Sequence, residues 1–329
     1  MRGTARASVN QVFFVPGQAL LAPDGRSAHY NGAMTRRGWI LFLSLGLLWG
    51  MPYLLIRIAV AEIDPLVVAG TRTLIGSFLL LPFAMHRNAL APAFQKWKWL
   101  LAFTLIEITV PWVLLGHAET RLNSSTAGLL IAVVPLFAAI IVTKLGHERL
   151  EPRRLFGLGL GFAGVALLVG LDIQLTDLVS VGMTIVVALC YAIGPIIIDR
   201  KLNDVPAMGV ITASLILATV IYAPFAPFLW PEHFDAAAAW SVVGLGVLCT
   251  AGAFLVFFAL IAEVGPARAT VITYVNPAVA IALGALVLDE KLTIGMAIGF
   301  PLVIAGSYFG TMRKRAVSVV STAVPLKSD

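Results

Sequence analysis

The sequence predicts an all-α membrane protein of ten transmembrane helices, arranged as two inverted five-helix repeats. Three observations carry this. The apolar content is too high and the charge too sparse for a soluble fold, the apolar residues come in evenly spaced runs, and the second half repeats the first.

Of 329 residues 59% are hydrophobic and 12% charged, with a mean hydropathy of +0.93. Soluble domains are about 45–50% apolar and about 25% charged. So little charge leaves too little polar surface to face water, whereas lipid can solvate an apolar exterior.

A bilayer core about 30 Å thick needs about 20 mostly apolar residues per helix. Runs of that kind lie near 39–60, 65–85, 98–118, 124–143, 153–171, 178–198, 206–229, 239–262, 267–288 and 293–311. The links between them are short and leave no room for an inserted soluble domain.

The basic residues give direction. With the N-terminus inside, 19 of the 23 Lys and Arg fall in cytoplasmic segments. Arg121 and Lys291 fall outside, and Arg57 and Arg72 within spans. Cytoplasmic loops are enriched in Lys and Arg, so both termini are expected in the cytoplasm and the chain multi-pass in the cell (plasma) membrane. The net charge of +6 thus encodes topology, and no basic stripe of a nucleic-acid binder appears.

An offset of 142 residues superposes the halves. It places Pro135 on Pro277, Glu148 on Glu290, Leu150 on Leu292, Gly157 on Gly299 and Gly164 on Gly306. Trp49 falls on Tyr191, and Pro82 on Pro224. Five spans per repeat is odd, so the second repeat enters the membrane in the opposite sense, as in many secondary transporters. The expected segments are a disordered tail over 1–35, repeats over 36–173 and 174–312, and a cytoplasmic tail over 313–329.

The residues at these positions resemble a known family. Leu48-Trp49-Gly50, Asp64-Pro65 with Arg72, Asn123-Ser124-Ser125-Thr126-Ala127 with Pro135 and Glu148, then Pro277, Glu290-Lys291-Leu292, Gly299 and Gly306 look like the EamA-type permeases of the drug/metabolite transporter superfamily. The resemblance covers roughly residues 38–312. It implies ten helices, cytoplasmic termini, and export or exchange of a small metabolite such as an amino acid. Met51-Pro52 departs from the small or amide residue the family often has there.

Several side chains are candidates for the substrate pathway. Glu107 stands mid-way along the third run, where a charged carboxyl costs roughly 2.5–3.5 kcal/mol even on a lenient insertion scale. It is expected to face protein or water and is a candidate proton carrier. Thr104 and Pro111 share its helical face. Arg72, about two turns into the second run, suits a substrate carboxylate, a structural acid or the carbonyls of a broken helix. Trp49, Tyr53, Trp112, Tyr191 and Tyr274 are candidate cavity aromatics, with core packing as the alternative. Asn276 precedes Pro277, and its amide is expected to face the cavity. Pro52, Pro111, Pro135 and Pro277 are candidate kinks or hinges. Trp39, Trp97, Trp99, Trp230 and Trp240 lie at span ends, where an interfacial belt explains them.

Other patterns point away from chemistry. Cys190 and Cys249 lie in apolar runs and form no metal-site spacing. His147-Glu148-Arg149-Leu150-Glu151 lacks the second His of a zinc-protease helix. Glycine pairs four apart at Gly157 and Gly161, Gly295 and Gly299, and Gly306 and Gly310 read as close helix packing. Neither a catalytic residue, a cofactor nor a metal is expected. The alternatives to a metabolite transporter are a lipid or lipid-linked sugar flippase and, with less support, an intramembrane enzyme. The expected partners are a small-molecule substrate and the lipid bilayer, with proton coupling a candidate and no nucleic acid.

Overall fold

The computed structural model describes residues 34–145, 152–172, 174–265 and 269–311. Residues 1–33 of the expected N-terminal tail, the expected C-terminal tail, Glu148 with its neighbours, and Arg268 lie outside the described residues.

The described residues are helical, with no strand among them. The principal helices are α1 (Arg36–Ala59), α2 (Pro65–His86), α3 (Trp97–Glu119) and α4 (Ser124–Lys144), α5 (Pro152–Asp172), α6 (Leu178–Lys201) and α7 (Ala207–Tyr222). They continue with α8 (Ala236–Val264), α9 (Asn276–Val287) and α10 (Ile294–Thr311). By length and composition, α1 to α4, α6 with its leading turn, and α8 can cross a membrane, while α5, α7, α9 and α10 hold shorter apolar stretches. Phe78, Leu43 and Ile40 lie exposed on helix flanks, as a lipid-facing exterior requires.

Helix starts follow local chemistry. Thr35, Asp64, Asn123 and Asp235 each accept a backbone N–H of the first turn that follows, satisfying a donor that has no intrahelical partner. Breaks follow proline, which lacks the N–H and crowds the preceding turn. α1 is interrupted at Met51, and Pro52 opens its second segment. α4 is interrupted at Ala132–Val133, just before Pro135. Pro277 is the second residue of α9, after a 3-10 turn over Thr270–Tyr274. The run expected over 206–229 divides at Ala223–Phe225, around Pro224.

Two helices contain a π-helical segment, Thr104–Thr109 in α3 and Val247–Gly252 in α8. Such segments insert a residue into a helix and often mark functional sites. Pro111 is the second residue of the α-helical part that resumes after the first.

The two halves pack in matching ways. α1 lies on α8 as α6 lies on α3, and α2 pairs with its counterpart α7. The relation is sharpest between α5 and α10. A Cβ on Gly164 would sit 2.8 Å from the Gly299 carbonyl oxygen, and a Cβ on Gly306 2.7 Å from the Gly157 carbonyl oxygen. Exchanging halves by the repeat offset turns the first contact into the second. The glycines therefore let two backbones touch about a local pseudo-twofold.

Candidate functional site

The site is built on Arg72 in α2. This side chain is 8% exposed, and its Nε–H donates to Thr250 Oγ1 at 2.9 Å. The Thr250 hydroxyl in turn donates to the Leu245 carbonyl at 2.8 Å, five residues back. The π-helical segment of α8 thus presents Thr250 as an acceptor for a guanidinium from the other half. The Arg72 Cζ lies 3.7 Å from the Trp112 ring centroid, in cation–π range.

Aromatic side chains complete the surroundings. Trp112 lies beside the Tyr191 side chain. Tyr53, Tyr191, Tyr222 and Cys249 all lie within electrostatic range of the guanidinium. Tyr222 donates to the Thr109 carbonyl at 2.7 Å, at the end of the α3 π-helical segment. No acid pairs with Arg72 among the described residues, where ion pairs join Arg37 to Glu263, Lys96 to Asp204 and Arg121 to Asp177. A nearly enclosed guanidinium whose neighbours are hydroxyls and rings is suited to take a carboxylate.

Glu107 lies beside this cluster, within range of Tyr191 and Cys190 of α6. The residue is partly exposed, yet its Oε2 is enclosed and without a hydrogen-bond partner among the described residues. Room for the carboxyl comes from Gly194, since any Cβ there would overlap it. Thr104, expected on the same face, is fully buried and donates to the Leu100 carbonyl of its own helix at 2.8 Å. It therefore extends no hydroxyl toward Glu107. Pro111 is buried.

The remaining sequence candidates lie elsewhere. Trp49 packs on Phe257 with ring centroids 4.8 Å apart and meets Phe254 edge-on, in the apolar seam of α1 and α8. Tyr274 donates to the Ser307 carbonyl at 3.3 Å. Asn276 stands beside the break in α1, where its carbonyl oxygen would be 3.0 Å from a Cβ on Gly50. Its Oδ1 is enclosed and unpartnered among the described residues. Of the eight pathway candidates, Tyr53, Arg72, Trp112 and Tyr191 gather at one centre, with Glu107 adjoining.

The model of the EamA-like transporter family matches residues 36–170 and 178–312. The chain belongs to the EamA-like transporter family. Its relatives include "Uncharacterized transporter YvbV" of Bacillus subtilis, 25% identical over 88% of this chain and 96% of that one. Another is "Uncharacterized inner membrane transporter YedA" of Escherichia coli, 28% identical over 73% of this chain and 79% of that one. A third, from Escherichia coli, is named "Probable amino-acid metabolite efflux pump", and is 22% identical over 88% of this chain and all of its own length. A chain of known crystal structure matches with a TM-score of 0.62 at 19% identity, covering 83% of this chain and 96% of that one. That likeness concerns the fold alone.

Within this EamA-family chain, sequence reasoning missed Thr250, Tyr222, Gly194 and Glu119. Thr250 and Tyr222 sit among apolar residues with no motif around them. Gly194 precedes Pro195 in α6, a weak signal of an irregular turn. Glu119 looks like a span-end acid, yet it is fully buried.

Proposed function

We propose that this multi-pass membrane protein is a secondary transporter that exports or exchanges a small carboxylate-bearing metabolite, an amino acid among the candidates, by alternating access. Arg72 carries the reading. It is a nearly enclosed cation without an acidic partner among the described residues, stacked on Trp112 and tied to Thr250 of the other half. A substrate carboxylate would supply the missing charge. Because α2 and α8 come from different repeats, a ligand held there touches both moving halves.

In this reading all ten helices span, the repeats are inverted, both termini are cytoplasmic, and Glu107 takes up and releases the coupling proton. Gly194 gives its carboxyl a place against α6, and Tyr191 is a neighbour of both charged groups.

Purified protein in vesicles, tested with labelled amino acids, sugars and nucleosides with and without a pH gradient, decides the matter. Accumulation of a carboxylate-bearing compound is expected, with Arg72→Met abolishing it and Glu107→Gln abolishing its dependence on the gradient. Accumulation only of uncharged solutes, or undiminished transport by Arg72→Met, would refute the assignment.

A further inference from the structure

A second enclosed acid lies where the α3–α4 hairpin closes one end of the bundle. Glu119 is the last residue of α3 and fully buried, and neither carboxyl oxygen has a hydrogen-bond partner among the described residues. Arg57 of α1 donates to the Glu119 backbone carbonyl rather than to its carboxyl. That bond satisfies a carbonyl at the end of α3 and sets positive charge at the negative end of the helix dipole.

Across the hairpin, Glu290 from the α9–α10 link holds the start of α4. It accepts the backbone N–H of Ser124 at 2.7 Å and of Ser125 at 3.0 Å, and the Ser125 hydroxyl as well. A carboxylate at a helix N-terminus is favoured by the exposed donors and the dipole together. The fully buried Ser124 keeps its own hydroxyl oxygen unpartnered among the described residues. Gly284 makes this convergence fit, because a Cβ there would lie 2.6 Å from Ser125 Oγ and 2.7 Å from Ser124 Oγ, and against Glu290 Oε2.

The charges around Glu119 are mixed in sign, and none of them bonds its carboxyl oxygens. α1 brings Arg57 and the Tyr53 phenol, α2 brings Arg72, and the α9–α10 link brings the like-charged Glu290. Arg72 is bonded to Thr250 and stacked on Trp112. Asp64 caps the start of α2. Asp177, at the start of α6, faces Arg121 at 4.0 Å, and His117 on α3 itself is exposed. An ionised carboxylate stripped of water, with both oxygens unbonded, loses hydration and gains little in return.

We propose that Glu119 is a proton-binding site built into this closure, separate from Glu107. Glu119 holds a proton while Arg57 and Glu290 clasp the hairpin, and releases it to water when this end opens. The O–H bond breaks toward the solvent on that side, and the resulting carboxylate is hydrated only in the open form. The opening step rests on the transporter reading; the proton on the enclosed acid does not.

Two measurements on the full chain in lipid test it. Infrared difference spectra during a pH titration should contain a protonated-carboxyl band that Glu119→Gln loses and Glu107→Gln keeps. An unchanged spectrum in Glu119→Gln would overturn the proposal. The second measurement uses a membrane-impermeant maleimide on Thr126→Cys in α4, with Cys190 and Cys249 replaced by Ala. Labelling is normalised to the exposed His233→Cys, which corrects for thiol ionisation. Normalised labelling should rise severalfold between about pH 5 and pH 9, and stay low and flat in Glu119→Gln. A flat wild-type profile needs no variant to be read, and it would sink the proposal. A vesicle screen in which no metabolite accumulates would refute the transport reading while leaving the infrared band intact, so the two failures are distinguishable.

Discussion

Arg72 and Thr250 join the two repeats directly, through an Nε–H to Oγ1 hydrogen bond of 2.9 Å between α2 and the π-helical segment of α8. The π-helical segments of α3 and α8 lie one residue out of the register that superposes the rest of the halves. In that local register Thr250 stands where Glu107 stands in the first half. The symmetric fold thus holds an asymmetric centre, with an acid on one side and a hydroxyl bonded to a guanidinium on the other.

Replacing Arg72 separates charge from shape. Arg72→Lys keeps a cation but loses the planar fork and the stacking on Trp112. Hydrogen bonds to charged groups are worth about 1.5–3 kcal/mol, so the apparent substrate affinity should fall roughly 10- to 100-fold while expression persists. Binding isotherms for the carboxylate proposed as substrate, measured on both proteins, check this.

Gly194→Ala places a methyl group into the Glu107 carboxyl. Overpacking of this kind costs about 1–3 kcal/mol, and thermal unfolding in detergent should shift downward accordingly. Glu107→Ala removes the obstacle, so the double variant should lose less than the two single effects combined. Additive losses would mean that Gly194 serves something other than the space for Glu107.

The α5–α10 crossing offers an internal control. A Cβ on Gly306 would overlap the Gly161 backbone, whereas a Cβ on Gly159 meets nothing within 4 Å. Gly306→Ala should sharply reduce the yield of folded protein. Gly159→Ala should leave it unchanged, as fluorescence-detected gel filtration would show.

Outside the membrane segments, Lys96 donates to Asp204 and to the Lys201 carbonyl, linking the loops of the two repeats. The hydrogen bond from Lys96 holds the Asp204 carboxyl below its ordinary range. A depressed carboxyl contributes stability above its unfolded-state value, and that contribution is lost as pH falls through the folded-state value. The group is exposed, so the effect is small and screened by salt. Asp204→Asn should therefore lower the melting temperature slightly at neutral pH and low salt, and match wild type in acid.

Much of the architecture was legible in residue order. Apolar runs marked the helices because each helix crossing lipid must satisfy its own backbone and show apolar side chains outward. The repeat offset aligns the glycines of α5 and α10 that the structure brings into reciprocal contact. Pro52, Pro135 and Pro277 each fall within the first two residues of a helical segment because a missing N–H acts on its own turn. Arg72 and Glu107 stood out because charge within an apolar run is rare and costly.

Only the tertiary structure decided which of these polar groups meet. Thr250 carries no local sign that it will accept from Arg72, and Trp49, equivalent by repeat to Tyr191, packs with Phe254 and Phe257 instead. Glu119 sits at a helix end, yet it is buried because the α3–α4 hairpin is held shut by Arg57 and by Glu290 from far along the chain. Sequence periodicity fixes a face relative to its own helix. Contacts between helices depend on how each is rotated against its neighbours, and here a single residue inserted at each π-helical segment resets that rotation.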